Sequence, residues 1–212
     1  MKLTLNEIFY SIQGESYLAG LPCVFIRLTG CHQRCVYCDT SYAFYEGHKV
    51  TVSGIFAEIQ KYDCQNVLIT GGEPLLQANT PFLAQFLLDR GYRVAIETGG
   101  NRPIEVLPRE VIKVMDLKTP GSGESHRNRY ENLTHLETKD EVKFVVVDEH
   151  DVDWSLGQIQ EHQLVQRCHV SLSPTRNEFL PRVAQKILDS GLRIRLQHQF
   201  HKTIWPGMVR GV

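Results

Sequence analysis

The 212-residue chain lacks any apolar run long enough to cross a bilayer, and its first residues, Met1-Lys2-Leu3-Thr4-Leu5-Asn6-Glu7, lack the apolar stretch of a secretory signal. A cytoplasmic protein is expected. It has almost no net charge, −1 at pH 7, so nothing implies an electrostatic grip on nucleic acid. Repeats, low-complexity tracts and linkers are absent. The length is short for two domains, so one domain over residues 1–212 is expected. It is also short for a closed eight-fold (β/α) barrel, which takes about 250 residues. Among the six cysteines only one C-x2-C pair occurs, whereas zinc knuckles usually come as two. In a reducing compartment these cysteines favour metal or redox chemistry over disulfides.

What is present is Cys31-His32-Gln33-Arg34-Cys35-Val36-Tyr37-Cys38, three cysteines at C-x3-C-x2-C spacing in a loop after an apolar strand. Three thiolates so placed can each take one iron of a cubane cluster and leave the fourth iron open. A closed cluster only passes electrons, whereas an open iron can bind and cleave a small molecule. The alternatives are a zinc site completed by His32 or Cys64, and a chance group of buried thiols. Cys23, Cys64 and Cys168 read as packing residues. Thr70-Gly71-Gly72-Glu73-Pro74 follows another buried strand; its glycines would let backbone approach a ligand, and Glu73 would accept from an ammonium group.

Strand and helix patterns alternate along the chain. Strands are expected at Leu3 to Ser11, Cys23 to Leu28, Asn66 to Thr70, Tyr92 to Thr98, Val111 to Lys118, Val142 to Val147, Cys168 to Ser173 and Leu192 to Gln197. Helices fit a stretch carrying Ile55, Phe56 and Ile59 capped by Thr51 or Ser53, then about Leu75 to Arg90, Asp151 to Glu161 and Glu178 to Ser190. Gly99 to Arg109 holds two prolines and cannot make a full helix. Gly121 to Asp140 is polar, a mobile loop with at most one short helix. The order predicts an α/β fold, an incomplete, trimmed (β/α) barrel with a mostly parallel sheet.

Ligands of parallel sheets sit beyond the C-terminal strand ends. Arg27 and the Cys31 loop, Thr70 to Glu73, Glu97 and Thr98, Asp116 to Lys118, Ser171 and Ser173, and Gln197 to Gln199 all fall there. Arg27 is out of place inside a buried strand and needs an anionic partner, either a ligand or a side chain such as Glu15 or Glu97. Tyr37 offers an aromatic edge to a flat ring, or simply packs beside the loop.

The three-cysteine spacing and the GGEP segment resemble those of radical S-adenosylmethionine (SAM) enzymes. Within them the chain resembles the 7-carboxy-7-deazaguanine synthase (QueE) family, through Ile8-Phe9-Tyr10-Ser11-Ile12-Gln13-Gly14-Glu15, Phe25 to Cys31, Cys35 to Thr40, Thr70 to Pro74, Glu97 to Gly100 and Asp116 to Glu124. The resemblance implies a 4Fe–4S cluster on Cys31, Cys35 and Cys38, with SAM held by Tyr37, Cys38, Asp39, Gly72, Glu73 and the strand ends Asp116, Leu117, Lys118, Ser173, Pro174 and Thr175. It implies Mg2+ at Thr40. The substrate would be 6-carboxy-5,6,7,8-tetrahydropterin, held by Ile12, Gln13, Gly14 and Thr70, with Arg27 pairing its carboxylate. Hydrogen abstraction at C6 and ring contraction with loss of ammonia would follow. An electron donor such as a flavodoxin or ferredoxin is expected; the uncovered flank of a trimmed barrel would gain from pairing as a homodimer, and from charge and hydropathy no nucleic-acid or membrane partner is expected. Family members often end near Pro206, whereas this chain continues to Val212, so a C-terminal substrate contact stays open with Gln199 and His201 as candidates. An activase acting on a partner protein and a zinc-stabilised binding module are the competing functions.

Overall fold

The computed structural model describes residues 1–212. In chain order its elements are β1 (Lys2–Ile12), β2 (Pro22–Leu28), β3 (His48–Thr51), α1 (Val52–Ile59), β4 (Asn66–Gly71), α2 (Thr80–Leu88), β5 (Arg93–Thr98) and β6 (Ile112–Asp116). Then come β7 (Glu141–Val146), α3 (Glu149–Glu161), α4 (Leu164–Arg167), β8 (His169–Pro174), α5 (Leu180–Ser190), β9 (Arg195–Leu196) and α6 (Phe200–Ile204). All nine strands form one sheet in the order β3-β1-β2-β4-β5-β6-β7-β8-β9. β1 pairs antiparallel with β2 and β3, and every pair from β2 to β9 is parallel. The edges β3 and β9 do not pair with each other, so the sheet is open, as the incomplete barrel requires.

Side-chain alternation builds the two faces. On β2, Val24, Ile26 and Leu28 join the 33-residue core under the helices; Cys23 and Phe25 face the other way into a six-residue cluster with Phe9, Leu68, Ala95 and Ile112. Two residues further along each strand this second face turns polar: Phe25 gives way to Arg27, Leu68 to Thr70, Ala95 to Glu97 and Val114 to Asp116. An apolar floor therefore supports a polar mouth at the C-terminal strand ends.

Three local differences from the sequence expectation have physical causes. The helix expected from Leu75 is split into a 3-10 turn, Pro74–Leu76, and α2 starting at Thr80. Between them the Gln77 side chain accepts from the Thr4 amide (2.7 Å) and donates to the Thr4 and Thr29 carbonyls (2.9 Å each), closing backbone groups of the sheet. The connection 121–140 is not slack. It carries three 3-10 helices, and its fully buried Asn132 bonds Gly100, Arg102 and Ile104 of the helix-free β5–β6 connection. The last strand shrinks to Arg195–Leu196, because β9 is an edge with β8 as its single neighbour. Thr51, one of the two expected caps, accepts from Gly54 N at 3.0 Å to start α1.

Candidate active site

The cysteine loop leaves β2 and is fixed by backbone bonds rather than by its thiols. Gly30 N donates to Ala43 O (2.9 Å), Val36 N to Ser122 O (3.2 Å), and Arg34 N to the Glu124 carboxylate (2.8 Å). Arg34 also folds back onto the Cys31 and Gln33 carbonyls and lies over the Phe44 ring, 4.3 Å from its centroid. Gly71 and Gly72 serve this loop. A Cβ on Gly71 would lie 2.0 Å from Leu28 O, and one on Gly72 would lie 2.3 Å from Gly30 O, so the GGEP backbone runs flush against the chain leading to Cys31.

Cys31, Cys35 and Cys38 all face one cavity of about 380 Å³. Burial pushes each thiol above its ordinary value, with Lys118 pulling the other way. The three sulfurs do not lie within 4.8 Å of one another. Ligands already gathered around one tetrahedral zinc, each at about 2.3 Å from the ion, would be closer than that. Neither expected zinc partner is available: His32 is outside the cavity lining and bonded to Asn101 (2.7 Å), while Cys64 lies beside the Pro22 and Asn66 carbonyls at the far end of the strands. Two buried polar atoms lining the cavity, the Tyr37 hydroxyl and the Gln33 amide nitrogen, have no protein partner, as a small-molecule site beside the loop would require.

Another part of the cavity wall is ionic. Lys143 reaches Glu15 at 2.6 Å and Asp116 at 3.4 Å, and Lys118 reaches Asp116 at 2.5 Å. Burial alone would lower Lys118, yet Asp116 beside it holds its pKa well above the usual lysine range. Asp116 is held low in turn: burial would raise it, and the two lysines overcome that. Glu15 is pulled down to about 2, because Lys143 overrides the burial that would raise it. A depressed folded value means that this carboxylate's contribution to stability is present above about pH 4.5, its ordinary value, and is lost as the pH falls toward about 2. Glu15→Gln should therefore flatten the decline of the urea midpoint across that window; an unchanged slope would remove Glu15 from the acid response.

Arg27 is paired with Glu7, at 2.8 Å through Nε, and not with Glu15 or Glu97. A register shift between Leu5 and Glu7 on β1 brings Glu7 opposite Arg27. The guanidinium lies 5.4 Å from the Phe9 ring centroid and 5.8 Å from that of Tyr42, whose hydroxyl donates to the same Glu7 oxygen. Its terminal nitrogens make no protein hydrogen bond and Arg27 lines the cavity, so a planar acceptor can still be met there.

Ile12, Gln13, Gly14, Thr70, Tyr37, Asp39, Thr40, Gly72, Asp116, Lys118 and Thr175 line the cavity as well. Four expected residues do not. Glu73 is 1% exposed, and its carboxylate is taken by Leu75 N (2.9 Å), the Thr98 hydroxyl (2.9 Å) and Gly99 N (2.7 Å), so it fastens β4 to β5 and has nothing left for an ammonium group. Leu117 belongs to the core under the helices, and Ser173 and Pro174 are buried outside the cavity lining. Lining residues that sequence reading missed as ligand contacts include Glu15, Lys143, Tyr42 and Gln33. Lys143, a charge between Val142 and Phe144, carries the same signal that exposed Arg27.

The chain end closes one side. Phe200 N donates to Gly14 O (3.0 Å), Gln199 donates to Glu15 (2.7 Å), and a Cβ on Gly14 would meet His201 Nδ1 at 2.6 Å. Gln199, His201, Met208, Val209 and Val212 all line the cavity. Arg210 pairs with Glu46 and lies over the Tyr42 ring, which ties the last residues down.

An open, mostly parallel sheet with a three-cysteine loop at its C-terminal mouth defines a radical SAM enzyme, and residues 25–116 match the family model described as "Radical SAM superfamily". The 7-carboxy-7-deazaguanine synthase of Koribacter versatilis is 40% identical, covering 99% of this chain and all of its own length; that of Chlorobaculum tepidum is also 40% identical, with 99% and 97% covered. The chain belongs to the 7-carboxy-7-deazaguanine synthase family. The crystal structure of QueE from Escherichia coli has the same fold, with a TM-score of 0.78 at 22% identity over 93% of this chain and 94% of that one.

Proposed function

We propose that this chain converts 6-carboxy-5,6,7,8-tetrahydropterin to 7-carboxy-7-deazaguanine, a ring contraction with loss of ammonia on the way to queuosine and other 7-deazapurines. The observation that carries this reading is that three cysteine thiols and the Arg27 guanidinium face the same cavity. A 4Fe–4S cluster with SAM, when bound, would supply the radical that abstracts a hydrogen atom from C6, the carbon that carries the carboxylate. The protein's part is to hold, orient and seal. Cys31, Cys35 and Cys38 are the ligands of three irons. Tyr37 offers its ring edge and buried hydroxyl to SAM, supported by Asp39, Gly72, Thr175 and the paired Asp116 and Lys118.

Arg27 takes the pterin carboxylate in a two-toothed contact, held at its Nε by Glu7. Ile12, Gln13, Gly14 and Thr70 bound the ring, and the chain end with Met208 and Val209 excludes water from that side. Thr40 supplies a hydroxyl to Mg2+, and its hydrogen bond to the Asp39 carboxylate (2.9 Å) puts a second hard oxygen within reach. A flavodoxin or ferredoxin delivers the electron. Pairing as a homodimer is supported by the uncovered sheet edges, and a cytoplasmic setting by six free cysteines.

Anaerobic incubation of reconstituted protein with SAM, a reductant and the carboxylated tetrahydropterin tests the reading: the product mass should be that of 7-carboxy-7-deazaguanine, and SAM cleavage without it would reject the substrate. Thr40→Ala should blunt any stimulation by Mg2+ while leaving SAM cleavage intact; an undiminished metal response would remove Thr40 from the ligand set.

A further inference from the structure

Gln33 stands between the first two cysteines of the loop and is 4% exposed. Its main chain is already engaged there: the carbonyl accepts from Arg34 Nη1 (2.7 Å), and the backbone amide donates toward the Cys31 sulfur. Its side chain turns inward and lines the same cavity as Cys31, Cys35 and Cys38. The carboxamide oxygen lies against the end of β5. A Cβ on Gly99 would meet that oxygen at 2.1 Å, so the missing side chain of Gly99 makes the room in which Gln33 rests. The carboxamide nitrogen is buried and has no protein partner.

A buried N–H donor without an acceptor costs stability, so one that persists beside a cavity is built to meet something other than protein. Glu73 is not free to take it. Its Oε2 lies 3.2 Å from the same Cβ position on Gly99, but the carboxylate is filled by Leu75 N, the Thr98 hydroxyl and Gly99 N. What flanks Gln33 instead are two of the three thiols, Cys31 two residues before it and Cys35 two residues after. Three thiolates outweigh the charge of the iron–sulfur core they would carry, so the assembled unit is anionic and becomes more so when it takes up an electron. It is an acceptor of the kind this donor lacks.

We propose that the Gln33 carboxamide donates a hydrogen bond to a sulfur of the cluster on Cys31, Cys35 and Cys38, and that this bond raises the cluster's reduction potential. This rests on the cluster assignment above and deepens it. A donor favours the more negative member of a redox pair, and hydrogen bonds to the sulfurs are among the levers that set the potential of such a cluster. The step itself keeps its balance: a flavodoxin or ferredoxin gives up one electron, the cluster takes it, and Gln33 neither gains nor loses a proton.

The test is a redox titration, followed by electron paramagnetic resonance, of cluster-reconstituted protein without SAM, comparing wild type with Gln33→Leu, whose side chain fills similar space with no donor. At a fixed applied potential the variant's ratio of reduced to oxidised cluster should fall about fivefold, the equilibrium counterpart of one ordinary hydrogen bond, which places its midpoint roughly 40 mV lower for a one-electron couple. Its iron content should match wild type. A side chain that only packed against Gly99, or met only water, would leave the midpoint alone, so an unchanged midpoint at full iron overturns the proposal. Loss of SAM affinity at an unchanged midpoint also overturns it, by making SAM the acceptor. Should the variant load iron incompletely, wild type decides the matter: with nitrogen-15 in its glutamine side-chain amides, the reduced cluster should show a nitrogen-15 coupling, and its absence overturns the proposal. Failure of wild type to assemble a 4Fe–4S cluster defeats the cluster assignment itself and this inference with it, whereas a cluster whose potential ignores Gln33 defeats the inference alone.

Discussion

Replacing Cys31, Cys35 or Cys38 singly with alanine should leave a folded protein that no longer retains a full iron complement and no longer cleaves SAM. The fold should survive because the loop is held by Gly30, Arg34 and Val36 through bonds to Ala43, Glu124 and Ser122, none of which uses sulfur. The activity should not, because on the proposed reading these three thiols are the protein's ligands to the cluster. Losing a group that merely orients a ligand costs about 10–100-fold in metal affinity or activity, and losing a ligand outright should exceed that. Cys23→Ala and Cys64→Ala are the matched controls. They remove thiols that contact backbone carbonyls away from the cavity, and both should keep iron and cleavage. Iron analysis and the cleavage assay on the five variants decide the matter; wild-type iron in all three loop variants would end the cluster assignment.

Arg27→Ala should weaken pterin binding by about 30-fold or more, the counterpart of the roughly 2 kcal/mol or more that truncating one partner of a buried, hydrogen-bonded charge pair costs. SAM binding should change far less. Part of the loss comes from Glu7, left without its cation and holding only the Tyr42 hydroxyl. Arg27→Lys separates the two contributions. An ammonium can restore charge beside Glu7 but not the planar fork, so recovery should be partial. Equal losses of SAM and pterin affinity in Arg27→Ala would show the residue to be a general support of the cavity and not a reader of carboxylate.

Features set by short-range pattern could be read in the chain before its structure. Strand and helix order follows from local periodicity, the cysteine spacing picks out a loop that does face the cavity, and Arg27 was conspicuous because charge inside an apolar run demands a partner. Roles that depend on which strands become neighbours could not. Glu73 looks like a ligand contact in its segment, and only the arrival of Thr98 and Gly99 at the end of β5 shows its oxygens to be engaged. Arg27's partner is Glu7 because of an irregularity in β1 that no composition rule announces. Lys143 escaped notice because the acids that justify it, Glu15 and Asp116, are distant in sequence. The split before α2 turns on Gln77 meeting Thr4, 73 residues away.

The connection 121–140 carries a consequence for how the enzyme matures. Glu124 grips Arg34 across 90 residues of sequence, and Ser122 holds Val36, so the thiol-bearing turn takes its shape from chain made long after it. Until β6 has joined the sheet and that later segment has docked, the three sulfurs have no common orientation to offer. Iron delivery therefore belongs to the end of folding rather than its beginning, and nascent fragments that stop short of Glu124 should not retain the metal.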